Sequence, residues 1–403
     1  MTGPTSNFRF ARRTTRLKPS AVREILKAAE SPSVISFAGG LPAPELFPAD
    51  VLADVCRELL HEDAAGALQY GVTEGYAPLR KWVSEHLLAT VNLPIHPERI
   101  LITSGSQQAL DLVARVFIDP DDVILTENPS YLGALQAFEA SEAKLIGVRS
   151  DQEGMCPESL RETLASLPTP PKLLYLISNF QNPTGVTTTL GRRREIASIC
   201  AAANLPVLED DPYGRLRYSG EHIPALASLP EAKHWIYLGT SSKILAPGLR
   251  VAWVACPDHA IFEKLVPAKQ AADLHTASFT QRAVFRYVSR PNELAGHVAK
   301  LVRVYMARRD AMHLALTANL PAGSSWNIPD GGLFFWVRLP DQFDTQQLLR
   351  IAAERQVVFV PGAPFWVGQP VKNTMRLNFS NAGEERIHEG IRRLGEAIGE
   401  MLT

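Results

Sequence analysis

Four short apolar runs, each followed by a polar insert and then by a helix-like stretch, limit what this chain can fold into. Residues 99–103 precede Ser104-Gly105-Ser106-Gln107-Gln108, and residues 123–126 precede Glu127-Asn128-Pro129-Ser130-Tyr131. Residues 173–177 lead toward Asn182-Pro183-Thr184-Gly185, and residues 205–208 lead into Glu209-Asp210-Asp211-Pro212-Tyr213. Short β-rich runs that alternate with helical segments make βα units. Strands covered by helices on both faces stay apolar along their length, as these do. The chain is therefore expected to be α/β, with a large, mostly parallel sheet flanked by helices. In such a sheet a ligand sits outside the carboxyl ends of the strands, where each insert falls.

The flanking segments have a different texture. Residues through Lys18 form a basic arm, with Arg9, Arg12, Arg13 and Arg16 interleaved by Phe8 and Phe10. Such an arm is either solvated or packed on a partner subunit. A short helix is expected over residues 20–30, capped by Ser20. Beyond about residue 286, an Arg-rich helical stretch near 298–320 leads to strand-like runs at 331–337, 357–360 and 374–379. This pattern predicts a smaller α+β domain. The expected division is an arm and short mobile helix at 1–45, a large cofactor-binding domain at 46–285 and a small domain at 286–403.

Composition removes several classes of function. The 403 residues carry a formal net charge of -1, which gives no electrostatic case for nucleic acid or a membrane surface. Cys56, Cys156, Cys200 and Cys256 make no CxxC pair, so structural zinc and a disulfide framework are not expected, and a reducing cytoplasm fits. The ten histidines show no metal-ligand spacing. No apolar run approaches bilayer length, and no Walker or GxGxxG motif follows a strand.

The chemistry centres on Gly239-Thr240-Ser241-Ser242-Lys243, between strand-like runs at 234–238 and 251–255. An amine at the end of a buried strand, beside a cation, loses basicity and becomes a Schiff-base nucleophile. The neighbouring hydroxyls and Arg250 suit a phosphate, which a planar guanidinium grips in a bidentate fork. Taken alone, Lys243 reads equally well as a solvated lysine. Other inserts supply what pyridoxal phosphate needs. Gly105-Ser106-Gln107 opens a helix, whose N–H groups and dipole favour phosphate. Asp210 ends a strand, where a carboxylate keeps a pyridine nitrogen protonated. Asn182 and Tyr213 can bond a phenolic oxygen, and Tyr131 can stack on a ring. Each of these is weak by itself, since Asn-Pro-Thr-Gly is also a generic turn and residues 209–211 also read as a solvated loop.

Together, Ser242-Lys243 with Arg250, Asn182-Pro183-Thr184-Gly185 and Asp210-x-x-Tyr213 resemble the signature of fold-type I pyridoxal-phosphate aminotransferases, class I/II. Ser20-Ala21-Val22-Arg23-Glu24, Phe37-Ala38-Gly39-Gly40-Leu41-Pro42 and Leu68-Gln69-Tyr70 resemble the alpha-aminoadipate/kynurenine aminotransferase subfamily. The resemblance implies an aspartate-aminotransferase-like fold and a Schiff base on Lys243, which also shuttles the substrate proton. It gives the phosphate to Ser106, Gln107, Thr240, Ser242 and Arg250, and to Tyr70 of a neighbouring subunit in a homodimer. It gives the substrate α-carboxylate to Arg376, and it adds Asn182, Gly40 and Arg23 as substrate contacts. Thr240 departs from the family's usual serine, but its hydroxyl can still bond phosphate.

The implied reaction is ping-pong transfer of an amino group from an L-amino acid to a 2-oxo acid such as 2-oxoglutarate. Arg23 points to glutamate or 2-aminoadipate if it meets a distal carboxylate; aromatic and aliphatic donors stay open. Two rivals remain. A lyase, decarboxylase or racemase on the same scaffold would turn over without an acceptor. A regulatory protein would need a helix-turn-helix segment, and about twenty residues before the first family motif are too few for one.

Overall fold

The computed structural model describes residues 8–17, 25, 31 and 33–402. Eight strands form the main sheet: β1 (Ile100–Thr103), β2 (Val123–Asn128), β3 (Lys144–Asp151), β4 (Gly154–Met155), β5 (Leu173–Leu176), β6 (Val207–Asp210), β7 (Trp235–Thr240) and β8 (Ala252–Ala255). Their order is β1-β8-β7-β6-β5-β2-β3-β4. The block from β7 to β3 is parallel.

The sheet departs from the simple rhythm at β8, which runs antiparallel to both β7 and β1. The reason is the connection. The strands on either side of Lys243 are joined by a turn over residues 241–251, not by a helix, so the second must run back beside the first. Ser241 fastens that turn by donating its N–H (3.1 Å) and its hydroxyl (2.8 Å) to the Val251 carbonyl.

Apolar runs without alternation appear here as strands with two buried faces. Along β5, Leu173 and Tyr175 join one core, while Leu174 and Leu176 join another. The first core includes Leu110 of α1 (Ser106–Phe117) and Phe138 of α2 (Leu132–Ala140). The second includes Ile196, Ala197 and Cys200 of α3 (Leu190–Ala202). Burying one such leucine stabilises the fold by about 1.5–3 kcal/mol, so a one-residue slip in β5 would invert both cores at once.

Helix α4 (His259–Asp273) follows β8, and α5 (Glu293–Asn319) starts five residues before the predicted stretch. A second sheet combines β9 (Ser325–Trp326), β10 (Phe334–Arg338), β11 (Val360–Pro361) and β12 (Thr374–Asn378) in the order β9-β10-β12-β11, all antiparallel. Ile35–Ser36 pairs in parallel with Val357–Val358 and so ties the N-terminal segment to this second unit.

Part of the basic arm lies on its own chain. Arg12–Arg16 forms a 3-10 turn, and Arg12 Nε donates to Glu142 at 2.8 Å. Phe8 and Phe10 remain exposed. Ser20, Arg23 and the rest of the predicted helix over 20–30, apart from Ile25, lie outside the described residues.

Candidate active site

At the carboxyl edge of the main sheet, β1 passes through Gly105 into α1. Gly105 has φ +90, and a Cβ there would stand 2.1 Å from Arg250 Nη2. The positive φ is what calls for glycine here. The Arg250 guanidinium thus lies over the start of α1, donating to the Ser104 carbonyl at 3.4 Å and to the Pro247 carbonyl at 3.2 Å. The first N–H groups of a helix have no intrahelical acceptor, and the dipole adds positive potential there. Thr240, the last residue of β7, and Ser242, in the turn after it, are buried with their hydroxyls 3.0 Å apart. Gln107 donates its side-chain amide to the Gly133 carbonyl at 2.9 Å, which leaves its backbone N–H as its contribution at the helix start.

Lys243 follows directly in that turn. Its Nζ donates to the Gly40 carbonyl at 2.9 Å. Burial first, then Arg376 and Arg250, push its pKa down to about 8, against the opposing pull of Asp210. The amine is therefore partly neutral near neutral pH, which a surface lysine is not.

Asp210 ends β6 on the face shared with Leu208 and Tyr175, and all three residues 209–211 are buried. The solvated-loop reading of that acidic run is excluded. Asp210 Oδ2 accepts from the Tyr175 hydroxyl at 3.0 Å, and Oδ1 is buried without a partner. Burial raises this carboxyl to about 7, while Tyr175 and Lys243 pull it down.

Arg376, on β12, brings the second sheet to the site. Its Nη1 donates to Asn182 Oδ1 at 2.8 Å and its Nη2 to the Ala38 carbonyl at 2.7 Å. Phe334 and Phe365 cover it at 4.3 and 5.2 Å, and burial lowers its pKa to about 10, so it stays charged. The Asn182 amide also donates to the Tyr213 hydroxyl at 3.2 Å. Asn182 therefore links the guanidinium to Tyr213, whose ring packs edge-on against Phe334.

Most of the expected residues thus meet at one place. Tyr131 caps α2 at the same sheet edge, half-buried. Tyr70 does not join them: it stands 79% exposed, with its ring edge-on to His275. Arg23 lies outside the described residues. Tyr175 and the Ala38 carbonyl were not anticipated. A tyrosine inside a strand buried on both faces was the available signal for Tyr175, because a buried phenol needs a partner.

The donor set fits pyridoxal phosphate: an orphaned buried carboxylate oxygen for a protonated ring nitrogen, and a helix start with hydroxyls and a guanidinium for a phosphate. The family model for aminotransferase class I and II matches residues 43–394. Aromatic-amino-acid aminotransferase 1 of Thermococcus litoralis is 45% identical, over 98% of this chain and 94% of that protein. The 2-aminoadipate transaminase of Thermus thermophilus is 41% identical, over 98% and 97%. The solved kynurenine aminotransferase of Pyrococcus horikoshii, in complex with PMP, superposes with a TM-score of 0.93 at 43% identity and covers 98% of each chain. Full-length similarity at this level extends from the fold to the transamination chemistry. The chain belongs to the class I and II aminotransferases, with the fold-type I architecture, and is a pyridoxal-phosphate-dependent transaminase.

Proposed function

We propose that Lys243 is the amine that carries the cofactor and moves the substrate's α-proton, that Asp210 holds a proton on the ring nitrogen, and that Arg376 binds the α-carboxylate. The observation that carries this reading is that Lys243 is buried with Arg376 and Asp210 both close enough to act on its charge, with opposite signs. Bound pyridoxal phosphate supplies a carbonyl for the amine and a cationic ring that accepts the electrons left at the α-carbon. The remaining chemistry belongs to the protein. Lys243, with a pKa near 8, can take a proton and return it at neutral pH. Asn182 orients the Arg376 fork toward a carboxylate. Asn182 and Tyr213 would bond the cofactor's phenolic oxygen, and Tyr131 would stack on its ring. The N–H groups of Ser106 and Gln107, the hydroxyls of Thr240 and Ser242, and Arg250 would hold its phosphate.

Substrate and assembly belong to the same proposal. The relatives' names support aromatic and 2-aminoadipate donors; glutamate and aliphatic donors, and a 2-oxo acid acceptor such as 2-oxoglutarate, complete the proposal. Gly40, whose carbonyl meets Lys243, would border the substrate, and Arg23 would read a distal carboxylate. Leu68, Tyr70, Val72 and Leu274 are each more than half exposed. We infer that a second copy covers them in a homodimer and that Tyr70 reaches the partner's phosphate. Among the described residues no helix is long and apolar enough to cross a membrane, and a cytoplasmic enzyme is proposed. The main sheet within 100–255 and the second sheet within 325–378 support the division at 46–285 and 286–403.

A donor-by-acceptor panel tests the reading. Product 2-oxo acid should form only when an acceptor is supplied, and leucine, phenylalanine and 2-aminoadipate should all serve as donors. Sustained turnover without acceptor would replace the transaminase with a lyase or racemase.

A further inference from the structure

Three consecutive acids, Glu209, Asp210 and Asp211, are buried at the end of β6, and each receives a hydroxyl. Ser178 donates to Glu209, Tyr175 to Asp210 and Tyr237 to Asp211. Glu209 also takes the N–H groups of Leu226 (3.0 Å) and Ala227 (2.8 Å), and Asp211 takes that of Gly214 (2.9 Å). Asp210 alone keeps an oxygen with no donor. The hydroxyl on its other oxygen therefore decides which way the free one faces.

We propose that Tyr175 is a positioning residue for Asp210: by donating to Oδ2 it fixes the carboxylate so that the unpartnered Oδ1 is presented to the ring nitrogen of the cofactor. The proposal rests on the assignment of Asp210 made above. The register of the sheet makes the contact possible. Tyr175 on β5 lies opposite Leu208 on β6, so Asp210 is its diagonal neighbour on the same face, within reach of an aromatic side chain. Phe138 of α2 packs edge-on against the Tyr175 ring at 5.7 Å and holds it from the helix side.

Toward an ionised Asp210, which has no proton to give, the phenol is the donor. Burial and the nearby Asp210 charge raise its pKa well above the ordinary value, so it keeps its proton at any working pH. Its donated bond favours the ionised form of Asp210, against the burial that disfavours it. A carboxylate without this bond would be free to rotate and would lose part of its stabilisation.

The test compares two ligands on the apoenzyme prepared from the full-length holoenzyme: pyridoxal phosphate, and its carbocyclic analogue with C–H in place of the ring nitrogen. Tyr175→Phe should weaken pyridoxal phosphate binding about tenfold, the size of one hydrogen bond to a charged group, and leave the analogue's affinity nearly unchanged. Asp210→Asn should abolish the preference for the nitrogen-bearing ligand, and adding Tyr175→Phe to it should cause no further differential loss. Equal loss for both ligands would reduce Tyr175 to packing and overturn the proposal, as would no loss for either. If Asp210→Asn keeps the preference, the Asp210 assignment itself falls. If only Tyr175→Phe keeps it, the positioning role alone falls. A measurement without a variant at 175 guards against failed folding. In 13C-tyrosine-labelled enzyme, the ring signal that moves on Asp210→Asn should respond to pyridoxal phosphate and not to the analogue; identical responses would overturn the proposal.

Discussion

Two clusters of buried charge lie on opposite faces of β6, one with its bonds complete and one with bonds to spare. On the α3 face, Arg193 is fully buried and donates to the carbonyls of Thr188 (2.9 Å), Pro224 (2.8 Å) and Ser178 (2.8 Å) and to Asn179 Oδ1 (2.6 Å). Its neighbour Glu209 is equally saturated. On the other face, Asp210 keeps a free oxygen and Arg376 a free Nε. Both clusters bear the cost of removing ions from water, yet only the first recovers it within the fold. A saturated cluster fixes shape, while an unsaturated one leaves binding capacity for a ligand. The lysines repeat the contrast. Lys269 is fully buried and bound to Asp273 (2.7 Å) and Gln108 (3.0 Å), while Lys243 has one carbonyl contact.

The contrast can be broken most sharply at the lysines. Lys243→Ala should cut transamination by about 10⁴-fold or more and abolish the yellow absorbance of the loaded enzyme. Lys269→Met should keep that absorbance and affect mainly stability. Asp210→Asn should lower kcat by about 10²–10³-fold, measured at saturating amino acid. Arg376→Ala should raise KM for amino acid and 2-oxo acid alike, with kcat/KM down by about 10–100-fold. Arg193→Met should behave in the opposite sense: it costs stability, on the order of 3–5 kcal/mol by denaturant unfolding, without altering the cofactor spectrum of the folded fraction. If Arg193→Met changed the spectrum while Arg376→Ala left KM untouched, the division between the two faces would be wrong.

The smallest effect concerns pH. In the proposed site the neutral Lys243 amine is the nucleophile, and burial beside Arg376 and Arg250 holds its pKa at about 8. The rate of cofactor capture by apoenzyme should therefore rise as pH increases through 8 and level off above it. A midpoint near the ordinary lysine value of 10.5 would mean the amine is solvated.

How much of this was legible in the sequence follows from where residues sit along a strand. Asp210, Asn182, Lys243 and Ser106 all lie at carboxyl ends, where an apolar run gives way to polar residues, so they announce themselves. Tyr175 lies inside a run of Leu and Ile, and the partner of its one polar group, the hydroxyl, is on another strand. The antiparallel turn at β8 was equally hidden, because run lengths do not show strand direction. Glu209 and Asp210 are adjacent acids with opposite roles, and the alternation of faces along β6 is what separates them. Arg376 is legible only through the family resemblance; its long-range partners Asn182 and Ala38 appear only once the two sheets are brought together.

Borohydride reduction of the loaded enzyme, followed by peptide mass mapping, tests most directly whether the unsaturated cluster holds the cofactor. A single pyridoxyl adduct on Lys243 is the expected result. An adduct on Lys269 or any other lysine, with Lys243 unmodified, would contradict it.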